Sequence, residues 1–289
     1  MKTRTGKFPI GFRRMGFDWQ EDLDALIEWT LSEGLELIDL NGDADESAKT
    51  VLDAGLQVGS VDFPEWQGML SPDKGKRNAA VERNADYVKA CAAHGAKIFF
   101  LAMLPEDPTR PRQENFGYMV ETFSELAPTL EEVGGKVVIE GWPGPGVLCC
   151  TPESYRAFFE HCPLPSMGVN YDPSHLVRMG IDPLRFLHEF KHRVFHVHGK
   201  DCMVSAEAVY KYGTEQPPTL AEPPRWSGAF WRYTVPGQGM SSWTEIFKVL
   251  SENGYEGGVS IEMEDRHYSG SDELEQEGVI QGARFLVSC

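Results

Sequence analysis

The chain of 289 residues carries 44 acidic and 27 basic side chains, which gives a formal net charge of −17 at neutral pH. A surface this acidic repels the phosphates of nucleic acids and of anionic lipids, so binding to either is disfavoured. The hydrophobic content of 41% and the charged content of 25% are those of an ordinary globular protein.

The six cysteines follow no redox or metal-binding pattern, because none belongs to a CxxC pair. The first residues, MKTRTGKFPIGF, lack the apolar segment of a signal peptide. No run reaches the roughly 20 apolar residues of a membrane span. The sequence therefore predicts a cytoplasmic protein with reduced thiols that does not bind a membrane.

Short apolar segments alternate along the chain with segments whose apolar residues recur at helical spacing. The predicted strands are residues 8–12, 35–40, 56–63, 97–103, 136–140, 167–172, 193–198 and 257–262. The predicted helices are residues 19–34, 44–55, 75–94, 114–133, 151–162, 182–190, 241–254 and 272–287. Thr151 and Pro152 have the residue types expected of an N-cap and a first helical turn.

The eight strand–helix repeats decide between two architectures. A chain of 289 residues could hold two average domains, or one barrel of about 250 residues with insertions. The repeats run from end to end without a break in composition, and the short apolar strands suit a parallel sheet buried on both faces. The sequence therefore favours an α/β fold, a single (β/α)8 TIM-barrel domain over residues 1–289, rather than a doubly wound sheet.

One connection is longer than the others, at residues 201–240 between the seventh predicted strand and its helix. This insertion has no clear strand or helix pattern. It carries the following aromatic and arginine side chains: Tyr210, Tyr212, Arg225, Trp226, Phe230, Trp231, Arg232 and Tyr233. Long irregular connections are usually functional, and this one follows a strand on the face where barrel active sites lie. We expect a lid or pocket wall, with an oligomer contact as the alternative.

Four consecutive predicted strands, the fifth to the eighth, end in residues that can bind a metal ion: Glu140, Asp172, His198 and Glu262. Each alone could instead cap a helix or pack in the core. The C-terminal ends of parallel barrel strands meet at one mouth, so the four side chains are expected to converge. Three carboxylates and one imidazole suit one divalent ion, Mn²⁺ first, with Mg²⁺, Co²⁺ and Zn²⁺ as alternatives.

Residues near these strand ends are candidates for further roles. His196 and Lys200 lie two positions on either side of His198 and point to the same side of the strand. We expect His196 to support the site or pack in the core, and Lys200 to reach a substrate oxygen at the rim. Asp201 is expected to hydrogen-bond the following loop.

Two more residues are candidates for substrate binding. His175 follows Asp172 by three positions and could bind a second metal ion, contact the substrate or cap a helix. Substrate contact is favoured because the ligands for a second metal ion are missing. Trp142, which follows Glu140 by two positions, is the other candidate.

Several motifs in this chain resemble the sugar isomerase/epimerase superfamily of xylose isomerase-like TIM barrels. The superfamily includes ketose 3-epimerases, keto-inositol dehydratases, and keto-glycoside epimerases and lyases. The motifs are IEG (139–141), DPSH (172–175), HVHGKD (196–201), VPGQG (235–239) and GYEGGVSIEMED (254–265). The resemblance covers nearly the whole predicted barrel, and its second half is the more specific.

The resemblance implies that the four strand-end residues bind a single metal ion. It further implies that Glu140 and Glu262 remove and return a proton next to a carbonyl group, through a metal-bound enediolate. His175 would contact the substrate, and Arg232 is matched to a substrate-binding arginine. Return of the proton gives an epimer or an isomer, whereas loss of a β-substituent gives dehydration or elimination.

Departures from the family pattern narrow these expectations. Gly146 stands where ketose 3-epimerases commonly carry a glutamate, so a substrate other than a free ketohexose is expected. The aromatic insertion favours a bulkier carbohydrate, such as a keto-glycoside. The third and fourth strand ends lack the histidines of the three-zinc cluster of endonuclease IV. A non-catalytic sugar-binding protein is a remote alternative, and the resemblance allows a homodimer or homotetramer.

Overall fold

The computed structural model describes residues 1–289 and contains ten strands. They are β1 (Ile10–Arg13), β2 (Leu37–Leu40), β3 (Gln57–Asp62), β4 (Ile98–Ala102), β5 (Lys136–Glu140), β6 (Met167–Tyr171), β7 (Val194–Gly199), β8 (Asp201–Val204), β9 (Trp231–Thr234) and β10 (Val259–Ile261). All but β8 and β9 form a closed barrel in the order β1-β10-β7-β6-β5-β4-β3-β2. The predicted (β/α)8 barrel is therefore confirmed.

Ten α-helices accompany the strands. They are α1 (Leu23–Ser32), α2 (Ala44–Asp53), α3 (Lys74–His94), α4 (Arg112–Val133), α5 (Pro152–His161), α6 (Pro173–Arg178), α7 (Pro183–Phe190), α8 (Ala206–Tyr212), α9 (Trp243–Glu252) and α10 (Asp272–Val287). None combines the length and the apolar composition needed to cross a bilayer.

The start of α5 follows its local sequence. The Thr151 hydroxyl accepts a hydrogen bond from the backbone N–H of Ser154 at 3.3 Å, and the Ser154 hydroxyl lies 3.0 Å from the backbone nitrogen of Thr151. This reciprocal arrangement is a capping box, with Pro152 in the first turn. The predicted N-cap is confirmed.

Helix α6 was missed by the sequence interpretation. It has only six residues, too few for an apolar period to be visible. Asp172, which directly follows β6, caps it: carboxylate oxygen Oδ1 accepts a hydrogen bond from the backbone N–H of Ser174 at 2.8 Å. Asp172, a predicted metal ligand, therefore also begins a helix, which was the alternative considered for it.

The chain forms two compact units. The first consists of residues 1–37, 172–191 and 197–289. Within it, β10 pairs in parallel with β1 and with β7, so that Ser260 lies beside Gly11 on one side and His198 on the other. The second unit consists of residues 38–171 and 192–196, where β3, β4, β5 and β6 pair in parallel. The prediction of a single domain stays a prediction.

The insertion at 201–240 contains two strands and a helix, which corrects in part the expectation of an irregular segment. Strands β8 and β9 pair in an antiparallel ladder that joins Asp201 to Thr234 and Val204 to Trp231, with α8 between them. Because the paired strands are far apart in the chain, local periodicity does not reveal them. Its role as a lid stays a prediction.

Candidate metal centre

Four side chains that offer metal-ligating atoms form one group: Glu140, Asp172, His198 and Glu262. One ligand atom from each lies within 4.8 Å of the others, and all four residues are buried. Glu140 is the last residue of β5, Asp172 and Glu262 directly follow β6 and β10, and His198 lies in β7. The structure thus brings together the residues found at four consecutive strand ends, and their role as ligands stays a prediction.

The two oxygens of Asp172 have different environments. Oxygen Oδ1 is used in the cap of α6 through Ser174. Oxygen Oδ2 lies 3.2 Å from the ammonium nitrogen of Lys200 and 3.4 Å from Nε2 of His175. Oδ2 is therefore the oxygen that remains for a metal ion.

Glu140 is held by a neighbouring strand. The side-chain amide of Asn170, its register partner on β6, donates a hydrogen bond to Oε1 of Glu140 at 2.9 Å. Both side chains are buried. Asn170 had not been singled out in the sequence, although its position two residues before Asp172 puts it on the same face of the strand.

Lys200 is only 1% exposed, and its ammonium group is surrounded by carboxylates. It forms ion pairs with Glu262, with Asp172 at 3.2 Å and with Glu264 at 2.8 Å. It also lies 4.7 Å from the ring centroid of Tyr233. The predicted contact with a substrate oxygen stays a prediction, because in this arrangement the ammonium binds acidic side chains of the protein.

Glu264 and Arg13 are two site residues that sequence reasoning missed. Burial raises the pKa of Glu264, while the charge of Lys200 acts in the opposite direction. Arg13 lies with Nε 3.4 Å from Oε1 of Glu262. Glu264 could have been found, because residues two apart on an extended segment face the same side.

His175 is oriented by the insertion. Its Nδ1 lies 2.7 Å from the hydroxyl of Tyr233, which also accepts a hydrogen bond from Nη1 of Arg178 at 2.9 Å. Since Arg178 only donates, the Tyr233 proton is available for Nδ1, which favours the tautomer of His175 that carries its hydrogen on Nε2. That nitrogen is the one near Asp172 and Lys200.

The wall around Tyr233 is aromatic and cationic. The guanidinium of Arg178 lies 4.0 Å from the ring centroid of Trp231, and the rings of Trp231 and Tyr233 lie 4.7 Å apart. Burial raises the pKa of Tyr233, so the phenol keeps its proton at neutral pH. The predicted aromatic insertion therefore contributes at least one side chain beside the candidate site.

Arg232 and Trp142, the two other residues predicted to bind the substrate, make contacts with neighbouring residues of the protein. The Arg232 guanidinium lies 3.3 Å from the buried carboxylate of Asp265. The Trp142 ring packs on the backbone of Gly144, where an added Cβ would lie 1.8 Å from a ring carbon. Their roles in substrate binding stay predictions.

His196 pairs with a carboxylate. Its Nε2 lies 2.8 Å from Oδ2 of Asp39, whose other oxygen accepts a hydrogen bond from the backbone N–H of Ser60 at 2.9 Å. Asp39, His196 and His198 also form a group of possible ligands. His196 is therefore packed in the core, one of the two roles expected of it, and its support of the site stays a prediction.

Asp201 organises the loop that follows it, as predicted. Its carboxylate accepts hydrogen bonds from the backbone N–H of Ser241 at 3.0 Å and from the indole N–H of Trp243 at 3.2 Å. Burial raises the pKa of Asp201, and these hydrogen bonds oppose the shift. Trp243 is buried against this carboxylate.

The group of Glu140, Asp172, His198 and Glu262 fits a divalent metal ion. Carboxylate oxygens and an imidazole nitrogen are ligands that Mn²⁺, Mg²⁺ and Zn²⁺ accept, and the atoms are close enough to share one ion. This acidic and histidine cluster could therefore hold a metal ion.

A family model described as xylose isomerase-like TIM barrel matches residues 12–289. Among curated proteins, the chain is 38% identical over 103 residues to YfiH of Bacillus subtilis, described as uncharacterized, covering 35% of this chain and 32% of that protein. It is 32% identical over 152 residues to inosose dehydratase of Clostridium botulinum, covering 53% of this chain and 48% of that enzyme. The matches thus span less than half the length of these relatives.

Solved structures with the same fold cover nearly the whole chain. The 3-keto-D-glucoside 4-epimerase YcjR of E. coli has a TM-score of 0.71 at 16% identity, over 98% of this chain and 100% of that chain. D-psicose 3-epimerase of Clostridium cellulolyticum, with D-tagatose, has a TM-score of 0.68 at 15% identity, over 97% and 100%. A Mycobacterium smegmatis protein in complex with magnesium has a TM-score of 0.65 at 16% identity, over 97% of each chain. At these identities the likeness shows the fold.

Proposed function

Because the chain belongs to the family of xylose isomerase-like TIM barrels, we propose that it is a divalent-metal-dependent isomerase or epimerase of a sugar or keto-sugar derivative. The observation that carries this proposal is the buried group of Glu140, Asp172, His198 and Glu262. The names of its relatives support the substrate class, since they include inosose dehydratase and, among proteins of the same fold, two carbohydrate epimerases.

In this proposal the four side chains hold one divalent ion, with Mn²⁺ preferred and Mg²⁺, Co²⁺ or Zn²⁺ as alternatives. When bound, the ion would draw electron density from the substrate carbonyl and so acidify the neighbouring C–H bond. The protein's own side chains then move the proton.

Glu262 and Glu140 are the proposed base and acid. The group that enters the step ionised removes the proton from the carbon next to the carbonyl, and the other, which enters it protonated, returns a proton to the opposite face or to the neighbouring carbon, so the two groups end with their protonation states exchanged. Asn170 orients Glu140 through its hydrogen bond to Oε1, and Arg13 orients Glu262 through its ion pair with Oε1. General acid–base catalysis of this kind contributes about 10² to 10⁴-fold to a rate.

His175 and Lys200 are the proposed hydrogen-bond donors to substrate oxygens. The Tyr233 hydroxyl fixes the imidazole of His175 through Nδ1, which directs Nε2 towards Asp172 and Lys200. A donor held in this way needs little reorganisation when a substrate binds. The aromatic wall of Trp231 and Tyr233 offers apolar ring faces to the C–H groups of a carbohydrate.

A metal-dependent lyase is the second candidate, because the inosose dehydratase of Clostridium botulinum matches 53% of this chain. Such an enzyme would remove water or an alcohol from a keto-polyol or a 3-keto-glycoside. After the same proton abstraction, the leaving oxygen needs a proton, and His175 or Lys200 could donate it. A sugar-binding protein without turnover is the third and remotest candidate.

One experiment separates the three candidates. The protein with Mn²⁺ is incubated in D₂O with ketoses, keto-polyols and 3-keto-glycosides, and the reactions are followed by proton NMR. Exchange of a C–H next to the carbonyl with appearance of an epimer or isomer supports the first candidate. Loss of a β-oxygen supports the lyase. Saturable binding without exchange or product in any substrate class would contradict both enzyme candidates.

A further inference from the structure

The ammonium group of Lys200 lies against oxygens that a metal ion would also need. Asp172 offers a metal ion only Oδ2, since Oδ1 caps α6, and Oδ2 is 3.2 Å from Lys200 Nζ. Glu262 contacts Lys200 through Oε2, and the same oxygen lies 3.5 Å from Nδ1 of His198. Two of the four proposed ligands therefore share their ligand oxygens with a protein cation.

Glu264 differs from these carboxylates. It contacts the same ammonium at 2.8 Å, yet it does not belong to the group of four ligand atoms. The ring of Tyr233, with its centroid 4.7 Å from Nζ, lies against the ammonium as well. A cation lying over an aromatic face and beside a carboxylate is stabilised by both. Lys200 can therefore bind to Glu264 and Tyr233, neither of which is a proposed metal ligand.

We propose that Lys200 competes with the metal ion for Asp172 and Glu262, and that Glu264 receives the ammonium when the metal ion binds. This inference rests on the proposed metal centre. A dication and an ammonium that share oxygens repel each other strongly in a buried site, so one of them has to withdraw. Glu264, with Tyr233, makes that withdrawal possible without leaving the buried ammonium unpaired. Lys200 therefore lowers the affinity for the metal ion, and Glu264 limits the loss.

The competition predicts opposite effects for the two partners. Lys200→Met removes the ammonium while keeping an unbranched chain, so it should tighten Mn²⁺ binding by at least about tenfold. Glu264→Gln removes the carboxylate that binds the ammonium outside the ligand group, so it should weaken Mn²⁺ binding by about tenfold. In the Lys200→Met background, Glu264→Gln should weaken binding by less than about threefold, because the remaining effect is only that of a lost negative charge.

The experiment is isothermal titration calorimetry with Mn²⁺ alone on the wild-type protein, the two single variants and the double variant. Lys248→Met serves as the matched control, since Lys248 is 59% exposed and pairs only loosely with Glu245, at 3.9 Å. The melting temperature in chelator is a second readout. Lys200→Met should lower it, because Asp172, Glu262 and Glu264 then lose the ammonium that lies between them, and Mn²⁺ should restore it. Lys200→Gln replaces Lys200→Met if that variant does not fold.

The outcomes separate this inference from the proposed function. Equal or weaker Mn²⁺ binding in Lys200→Met, with clear binding in the wild type, would overturn the competition and leave the metal centre intact. Equal weakening by Glu264→Gln in both backgrounds would show that Glu264 acts on the metal ion directly, which also overturns the inference. Absence of Mn²⁺ binding in all four proteins would refute the metal centre and this inference together.

Discussion

The hydroxyl of Tyr233 lies 2.7 Å from Nδ1 of His175, although the two residues are 58 positions apart in the chain. The contact joins the β8–β9 insertion to the short helix that Asp172 begins. Both side chains are buried, so neither can replace the lost partner with water at low cost. The insertion therefore controls the orientation of His175, which is proposed to contact the substrate.

Tyr233→Phe tests that control. The change removes the hydrogen bond to His175 while keeping the ring, so we expect KM to rise about tenfold, with a smaller fall in kcat. Steady-state kinetics, with the substrate identified by NMR, measures the changes in KM and kcat separately. Tyr210→Phe is the control, since Tyr210 lies in the same insertion and is 87% exposed. Unchanged KM in Tyr233→Phe would contradict the role of the hydrogen bond.

Removal of the metal ion should abolish turnover. Treatment with a chelator is expected to lower the melting temperature as well, because a ligand that binds only the native state stabilises it. Addition of Mn²⁺ should restore both, which differential scanning fluorimetry and the activity assay would show. Asp172→Asn should show a smaller thermal response to Mn²⁺. Full activity in protein shown by elemental analysis to lack metal would refute the proposed centre.

Glu262→Gln should leave the fold intact and lower kcat by about 10² to 10⁴-fold, because the amide cannot accept the proton. Circular dichroism and the rate of deuterium exchange into the substrate are the measurements. Glu256→Gln, an exposed position that precedes β10 in the same segment, is the matched control. Exchange at the wild-type rate in Glu262→Gln would remove this residue from the mechanism.

Asp39→Asn tests the supporting pair with His196. The asparagine can still accept the hydrogen bond from Ser60, but it replaces the carboxylate oxygen beside His196 with a neutral amide, so the free energy of unfolding should fall by about 1–3 kcal/mol. The stoichiometry of bound Mn²⁺ should stay at one per chain, since the proposed centre of Glu140, Asp172, His198 and Glu262 holds a single ion. Denaturant unfolding and elemental analysis measure the two quantities. A wild-type stoichiometry of two, reduced to one by the substitution, would show that His196 and Asp39 bind metal.

The local sequence predicted some of the elements that carry the site better than others. The strand Lys136–Glu140 and the helix Asp272–Val287 agree with their predicted limits. Both have clear boundaries, because an apolar run ends in a carboxylate and Ser271 caps the helix through Leu274 N–H. The hairpin of β8 and β9 escaped prediction because its pairing partners are distant in the chain.

Glu140, Asp172, His198 and Glu262 could be selected from the sequence by itself, because the carboxyl ends of consecutive parallel strands gather wherever the barrel closes. Chain order and residue type suffice for that inference. Only the tertiary structure decided which side chains surround these four. Tyr233 beside His175, and Lys200 between Asp172, Glu262 and Glu264, are contacts between distant segments. Such contacts depend on side-chain directions and burial, which no local pattern encodes.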